Sequence, residues 1–238
     1  MASKYFNFTD VLGYGWRVMK ANLGFFVGIG FIWMIISSIP TIMDIITTSM
    51  NRPGPAYVAS KIIINVLGWI INIILAIGLI KIAISFCDEI KPTIGTLFDA
   101  GGFFWRYVGA AILYSLIVFG GFILFIVPGI IWAIKFSLCF YFVIDRGLGP
   151  IEALKASSRT TMGVKWELFG FGILCGLINF LGLLCLIVGI FATYPTVLVA
   201  KALVYRQLSA QTPELAEFGI SIPVAKPDVE TLPGEQES

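Results

Sequence analysis

The sequence contains no histidine. That removes the commonest general base, the commonest metal ligand and the usual proton acceptor for a Ser or Cys nucleophile. Charge is scarce as well: 13% of the 238 residues are Asp, Glu, Lys or Arg, against roughly 25% in a soluble domain. The net charge of +2 offers no surface for reading nucleic acid, because the basic residues are scattered among apolar runs. Cysteine is sparse too. Cys87, Cys139, Cys175 and Cys185 form no CxxC pair and three lie inside apolar runs, which argues against a zinc site or disulfide framework and for thiols acting as small hydrophobes. Paired carboxylates inside the apolar runs and metal-binding motifs are also missing. These absences together predict no catalytic residues, no metal, no cofactor and no enzyme activity.

What the chain has in abundance is apolar surface. It is 58% hydrophobic, with 20 Phe and a mean hydropathy of +0.93, the composition of an integral membrane protein. A cleavable signal is not predicted, because Asp10, Trp16, Arg17 and Lys20 precede the first apolar run and that run continues past any small-residue cleavage site.

A membrane-crossing helix needs roughly 20 mainly apolar residues. Four apolar blocks occur, at 23–46, 62–86, 107–144 and 168–205. The last two are long enough for two spans each, and both are basic at both ends: Arg106 and Arg146 flank one, Lys165 and Lys201/Arg206 the other. Cytoplasmic flanks carry the Lys/Arg excess, so each block should cross and return. Turns are predicted at Pro128-Gly129 and near Asn179–Gly182. The prediction is an all-α protein with six spans (23–46, 62–86, 107–127, 130–144, 168–181 and 184–205), both termini cytoplasmic, as a multi-pass protein of the bacterial inner membrane. Arg17, Lys20, Lys91, Arg146, Lys155, Arg159, Lys165 and Arg206 then lie inside, and only Arg52 and Lys61 outside.

Each pair of spans is preceded by a similar segment: FTDVLGYGWRVMKANLG, TIGTLFDAGGFFWRYVG and PIEALKASSRTTMGVKWELFG. Thr9 and Thr93 suit N-cap positions and Pro150 a first helical turn. Apolar residues recur at helical spacing (Val11, Leu12, Trp16 and Met19; Ile94, Leu97 and Phe98; Ile151, Ala153 and Leu154). The reading is a three-fold repeat of an amphipathic interfacial helix and a transmembrane hairpin, with Trp16, Trp105 and Trp166 as interfacial anchors. Residues 1–208 form one polytopic membrane domain. Residues 209–238, rich in Pro and acidic residues, read as a flexible cytoplasmic tail.

Lys135 lies six residues past Gly129, roughly 9 Å along a helix, inside the apolar slab. An unpartnered lysine there costs about 2.5–3.5 kcal/mol on insertion scales. Snorkelling, a structural pair and a substrate or ion site are all open to it. Asp44 is the one acidic residue near the outer half of a span and is the predicted partner. Other polar positions read as packing: Asn65, Gly68, Asn72 and Ala76 share a helix face, Gly24/Gly28 and Gly172/Gly176 are close-crossing spacings, Lys81 and Lys201 can snorkel, and Pro195 kinks the last span.

The stretch IVPGIIWAIKFSLCFYFVIDRGLGPIEALKASSRTTMGVKWELFGF, followed by TYPTVLVAKALVYRQL, resembles a bacterial family of six-span inner-membrane proteins of unknown function. It is also similar to the membrane domain that precedes some glycerophosphodiester phosphodiesterases. The markers are Pro128-Gly129, Lys135, Asp145, Glu152-Ala153-Leu154, Ser157, Gly163, Trp166, Phe169, Pro195 and Tyr205-Arg206. The resemblance implies a polytopic fold and little mechanism. The phosphodiesterase activity is not carried over, since these residues leave no room for a catalytic barrel and include no histidine.

Arg146, Lys155, Arg159 and Lys165 concentrate positive charge at the cytoplasmic surface beside Ser157, Ser158, Thr160 and Thr161. Such a patch can hold anionic lipid head groups, and it also meets the ordinary charge bias of an inner loop. The function predicted first is a non-enzymatic accessory or scaffold protein contacting membrane lipids and a membrane-protein partner or a second copy of itself, with no nucleic acid. The alternative is a transporter or lipid-moving permease using the Pro128-Gly129 break and Lys135. The site residues predicted are Lys135, Asp44, Arg146, Lys155, Arg159 and Lys165, with Pro128, Gly129, Pro195 and Trp166 as structural positions.

Overall fold

The computed structural model describes residues 4–50, 54–184 and 189–220, and every regular element among them is helical. The helices are α1 (Phe8–Ala21), α2 (Leu23–Met50), α3 (Pro55–Cys87), α4 (Phe104–Leu124), α5 (Ile126–Lys135), α6 (Cys139–Arg146), α7 (Pro150–Thr160), α8 (Lys165–Leu184) and α9 (Ile190–Ala210). Two 3-10 turns, Ile94–Leu97 and Pro213–Phe218, complete the described elements.

Five stretches are long and apolar enough to cross a membrane: Leu23–Ser49, Pro55–Cys87, Phe104–Leu124, Ile126–Arg146 and Lys165–Leu184. The chain is therefore a helical protein with the makings of a multi-pass membrane protein. The last expected span, α9, is long enough but not apolar enough: it carries Lys201, Arg206 and Gln207. It is instead packed against α1, α2, α3 and α8, with ten buried residues from Pro195 to Ser209. A helix screened by its neighbours has no need of an apolar surface on every side.

Several expectations are corrected. Pro128-Gly129 is not the turn of the second pair. The chain reverses at Phe125 alone, in extended conformation (φ −165°, ψ 157°), and Pro128 falls in the first turn of α5, where a missing N–H leaves no bond unmade. Gly129 and Gly121 let the two backbones touch, since a Cβ at Gly121 would stand 2.9 Å from the Gly129 Cα. Asn179–Gly182 is likewise no turn, because α8 continues through it to Leu184; Gly182 is where α8 meets Thr193 of α9. Cys185 and residues 185–188 lie outside the described residues.

The second lead-in is a single 3-10 turn, capped by Thr93, rather than a helix. The first helix is capped by Asn7, whose side-chain oxygen accepts from the Thr9 N–H at 3.0 Å, and not by Thr9. Pro150 does open α7. The segment after α9 does not leave the body at once: Thr212 and Leu215 are fully buried, and the 3-10 turn Pro213–Phe218 packs on α7. The expected flexible stretch therefore does not start at 209; residues 221–238 lie outside the described residues. Nor do Gly24, Gly28, Gly172 and Gly176 mark close crossings, as nothing approaches them within 4 Å.

The three lead-in segments share a docking rule. Each packs on the helix that ends the preceding pair, and the rule closes on itself. The turn Ile94–Leu97 docks on α3, where a Cβ at Gly78 would overlap the Leu97 backbone. α7 folds back along α6 through Gly147 (φ +63°). There Ser157 Oγ accepts from the Leu138 N–H at 3.2 Å and donates to the Lys135 carbonyl at 3.0 Å. α1 docks on α9, where a Cβ at Gly15 would overlap the Thr196 carbonyl. Both ends of the described chain meet at this side of the bundle: Tyr5 and Gln211 exchange two hydrogen bonds of 3.0 Å.

Candidate functional site

The bond between α7 and the break after α5 creates the site. α5 stops at Lys135 and α6 starts at Cys139. The end of α5 leaves a carbonyl without its helical partner, and α7 supplies two hydroxyls, Ser157 Oγ at 3.0 Å and Thr161 Oγ1 at 3.1 Å, to the Lys135 oxygen. The helix is thus interrupted, but at Phe136–Leu138 and not at Pro128-Gly129.

With its backbone fixed, the Lys135 side chain turns into a surface groove of about 550 Å³ between α4, the end of α5 and α7. Lys155, Ser158 and Arg159 of α7 reach the same groove, and Leu113, Ile117, Phe136, Ile151, Leu154 and Met162 make its apolar walls. The Lys135 ammonium stands 5.2 Å from the Phe136 ring centroid. Among the described residues no carboxylate lies within 4.0 Å of Lys135 or Lys155. Arg159 pairs with Glu217 at 2.6 Å and lies over Phe218, which ties the C-terminal 3-10 turn to the rim. Lys4 Nζ caps the end of α7 on the Arg159 carbonyl at 2.8 Å, where partial burial pulls its pKa below the ordinary lysine value.

The structure brings together three of the six predicted site residues: Lys135, Lys155 and Arg159. The Lys135–Asp44 pair does not form. Asp44 lies near the far end of α2 and pairs with Lys61 of α3 at 3.1 Å, the partner across its own helix connection. Arg146 is held by Asp145, Nε to Oδ2 2.7 Å. Lys165 opens α8 and does not line the groove. Trp166 and Trp105 are 75% and 79% exposed. Pro195 sits inside α9.

Two polar assemblies were not predicted as sites. In the first, Asp145 accepts from Tyr205 Oη (2.7 Å) and from both terminal nitrogens of Arg206 (2.8 Å each), and Arg206 also reaches Asp88 at 2.6 Å. The Asp145 and Arg206 side chains are 10% and 16% exposed. This largely buried network joins the ends of α3, α6 and α9 and pairs its charges with one another, so it reads as a structural clasp. The second lies in a partly open cleft between helices. Asn72, Tyr141, Asn179, Tyr194 and Lys201 border a cavity of about 360 Å³. In the sequence Asn72 read as packing, Asn179 as part of a turn and Lys201 as a snorkelling lysine. The sequence signal was the presence of two amides, Asn72 and Asn179, in the middle of otherwise apolar helices.

Among the described residues no group of three or more His, Cys, Asp or Glu side chains is placed to hold a metal ion. Comparison with family models, curated proteins and solved structures gives no match for the chain.

Proposed function

We propose that the chain is a non-enzymatic accessory or scaffold protein of the bacterial cytoplasmic membrane that holds anionic phospholipid head groups in the groove between α4 and α7. The observation that carries this reading is the convergence of Lys135, Lys155 and Arg159 on an apolar-walled groove with two of the three cations unpaired. A lipid phosphate supplies the missing negative charge, Ser158 adds a donor, and acyl chains continue along Leu113 and Ile117. In this reading the packed end of the bundle, where Tyr5 meets Gln211, faces the cytoplasm with both termini. α9 is then the sixth span, shielded by its neighbours. The lead-in segments and the C-terminal turn offer the surface for a membrane-protein partner or a second copy.

The test is lipid analysis of the protein extracted into polymer nanodiscs directly from its membrane, with native mass spectrometry of the particle. Wild type should carry phosphatidylglycerol or cardiolipin enriched over the bulk membrane, and the triple variant Lys135→Gln/Lys155→Gln/Arg159→Gln should carry bulk composition. Equal lipid profiles for both proteins would remove the lipid reading. A permease is the second reading, favoured by the break beside Lys135; loss of a lipid-transfer rate in Lys135→Gln with retained fold would support it.

A further inference from the structure

A second cavity, open to the surface on one side, is bordered by α2, α3, α6, α8 and α9 and shares no residue with the lipid groove. Its polar groups have an unusual property. Among the described residues, the Tyr141 and Tyr194 hydroxyls, the Asn179 amide and the Lys201 ammonium make no side-chain hydrogen bond or ion pair within the protein, and the Asn179 oxygen is buried with nothing to accept from. Asn72 spends one amide hydrogen on the Gly68 carbonyl at 2.8 Å and keeps the other. The buried Asn179 oxygen costs free energy unless something donates to it, while Asn72, Tyr194 and Lys201 stand at the open side of the same space. Four such polar groups, from three helices, face one space. The remaining wall is apolar, with Trp33, Leu79 and Leu198. A concave, mainly apolar space with a few convergent polar groups is the usual form of a small-molecule site.

We infer that this cavity binds a monoanionic amphiphile carrying a hydroxyl beside its acid group, of the medium-chain hydroxy-carboxylic class. Each part of the ligand follows from one part of the wall. The single cation, Lys201, sets one negative charge on the ligand. The two tyrosine hydroxyls and the free amide hydrogens are donors that a carboxylate accepts. The buried Asn179 oxygen needs a donor, which a plain carboxylate lacks and a neighbouring hydroxyl supplies. Trp33, Leu79 and Leu198 call for an alkyl body, and a volume of about 360 Å³ accommodates one such chain.

The test uses the full chain in nanodiscs and three probes: 3-hydroxydecanoate, decanoate and decanol, with binding read by calorimetry and one-to-one adducts by native mass spectrometry. The hydroxy acid should bind saturably, about tenfold tighter than decanoate, the worth of one added hydrogen bond, and decanol should show bilayer partitioning only. Lys201→Met should weaken both acids. Asn179→Leu should abolish the difference between them while leaving decanoate binding in place, an effect that general destabilisation does not produce. If Lys201→Met fails to fold, Tyr194→Phe and Asn179→Leu carry the test alone, since each removes one hydrogen-bonding group. The inference falls if neither acid binds beyond bilayer partitioning, which would make the cavity a water site. It falls equally if decanol binds as tightly as the acids, or if the variants match wild type. The outcome is independent of the lipid profile of the groove variant, so failure of either reading leaves the other standing.

Discussion

The two ends of the bundle are built on opposite terms. Over α2, the first half of α3, the later part of α4 and α8, large apolar side chains point outward: Ile35, Ile62, Phe119 and Leu184 are each about 60% exposed. At the other end, α6, the second half of α3, α7, α1 and α9 enclose a continuous apolar core around Phe142, Tyr205, Leu208 and Leu215, and Asp88, Asp145 and Arg206 there are paired in a network. One end is suited to an apolar solvent and leaves its surface for that solvent to cover. The other makes its own interior, as a water-soluble domain does. The lesson is that the folding information sits mainly in the second zone, where lead-in segments lock helix to helix, while the first zone is specified by length and hydrophobicity.

This contrast predicts very unequal responses to substitution. The largest is at the Asp145 clasp. Asp145→Asn takes the carboxylate from Arg146 and leaves Arg206 with Asp88 alone in a mostly buried site; breaking a buried pair this way costs about 3–5 kcal/mol. The midpoint of thermal unfolding should fall steeply. Asp44→Asn, at the opposite end, removes a half-exposed pair and should leave the midpoint nearly unchanged. Equal losses at both sites would show that the two ends are not organised differently.

Glycine gives a comparison of opposite sign. Gly78→Ala drives a Cβ into the Leu97 backbone, which cannot rotate away, and should destabilise by about 1–3 kcal/mol. Gly28→Ala adds the same methyl in α2, where nothing stands within 4 Å, and should stabilise by about 0.5–1 kcal/mol through helix propensity. Paired unfolding curves in the same nanodisc read both. A loss at Gly28 as large as at Gly78 would place an unseen contact on α2.

Seen against these contacts, the legible part of the sequence is clear. Apolar length and basic flanks located α2, α3, α4 and the 126–146 stretch, because hydrophobic runs state their own length. The repeat of lead-in segments was visible as similar residues at similar places, yet not what each would touch, since docking across the ring joins residues far apart in the chain. Turns failed for a physical reason: Pro128 marks a position that tolerates a missing N–H, and a first helical turn does so as well as a loop. The pairing of Lys135 with Asp44 failed because charge and depth were known and azimuth around the helix was not. The Lys135–Lys155–Arg159 group was half legible, as a basic cluster in one case and a lone buried charge in the other. Their meeting depended on Ser157 and Thr161 bonding the Lys135 carbonyl, a contact no periodicity reports.

The smallest expected effect lies at the margin of the packed end, in the Lys81–Asp99 pair at 2.8 Å. The hydrogen bond from Lys81 and its charge hold the Asp99 carboxyl below the ordinary 3.8. A depressed carboxylate contributes stability that is fully present above the unfolded value and lost as pH falls through the folded one. Acidification from about pH 5 downward should therefore erode a small share of wild-type stability that Asp99→Asn lacks, so the two unfolding midpoints should converge at low pH. Asp99 is well exposed, so salt should shrink the difference at neutral pH. The direction decides the matter: a gap between wild type and Asp99→Asn that widens on acidification would mean that the carboxyl is not stabilised in its charged form, and that this margin behaves as solvent-exposed surface and not as part of the packed end.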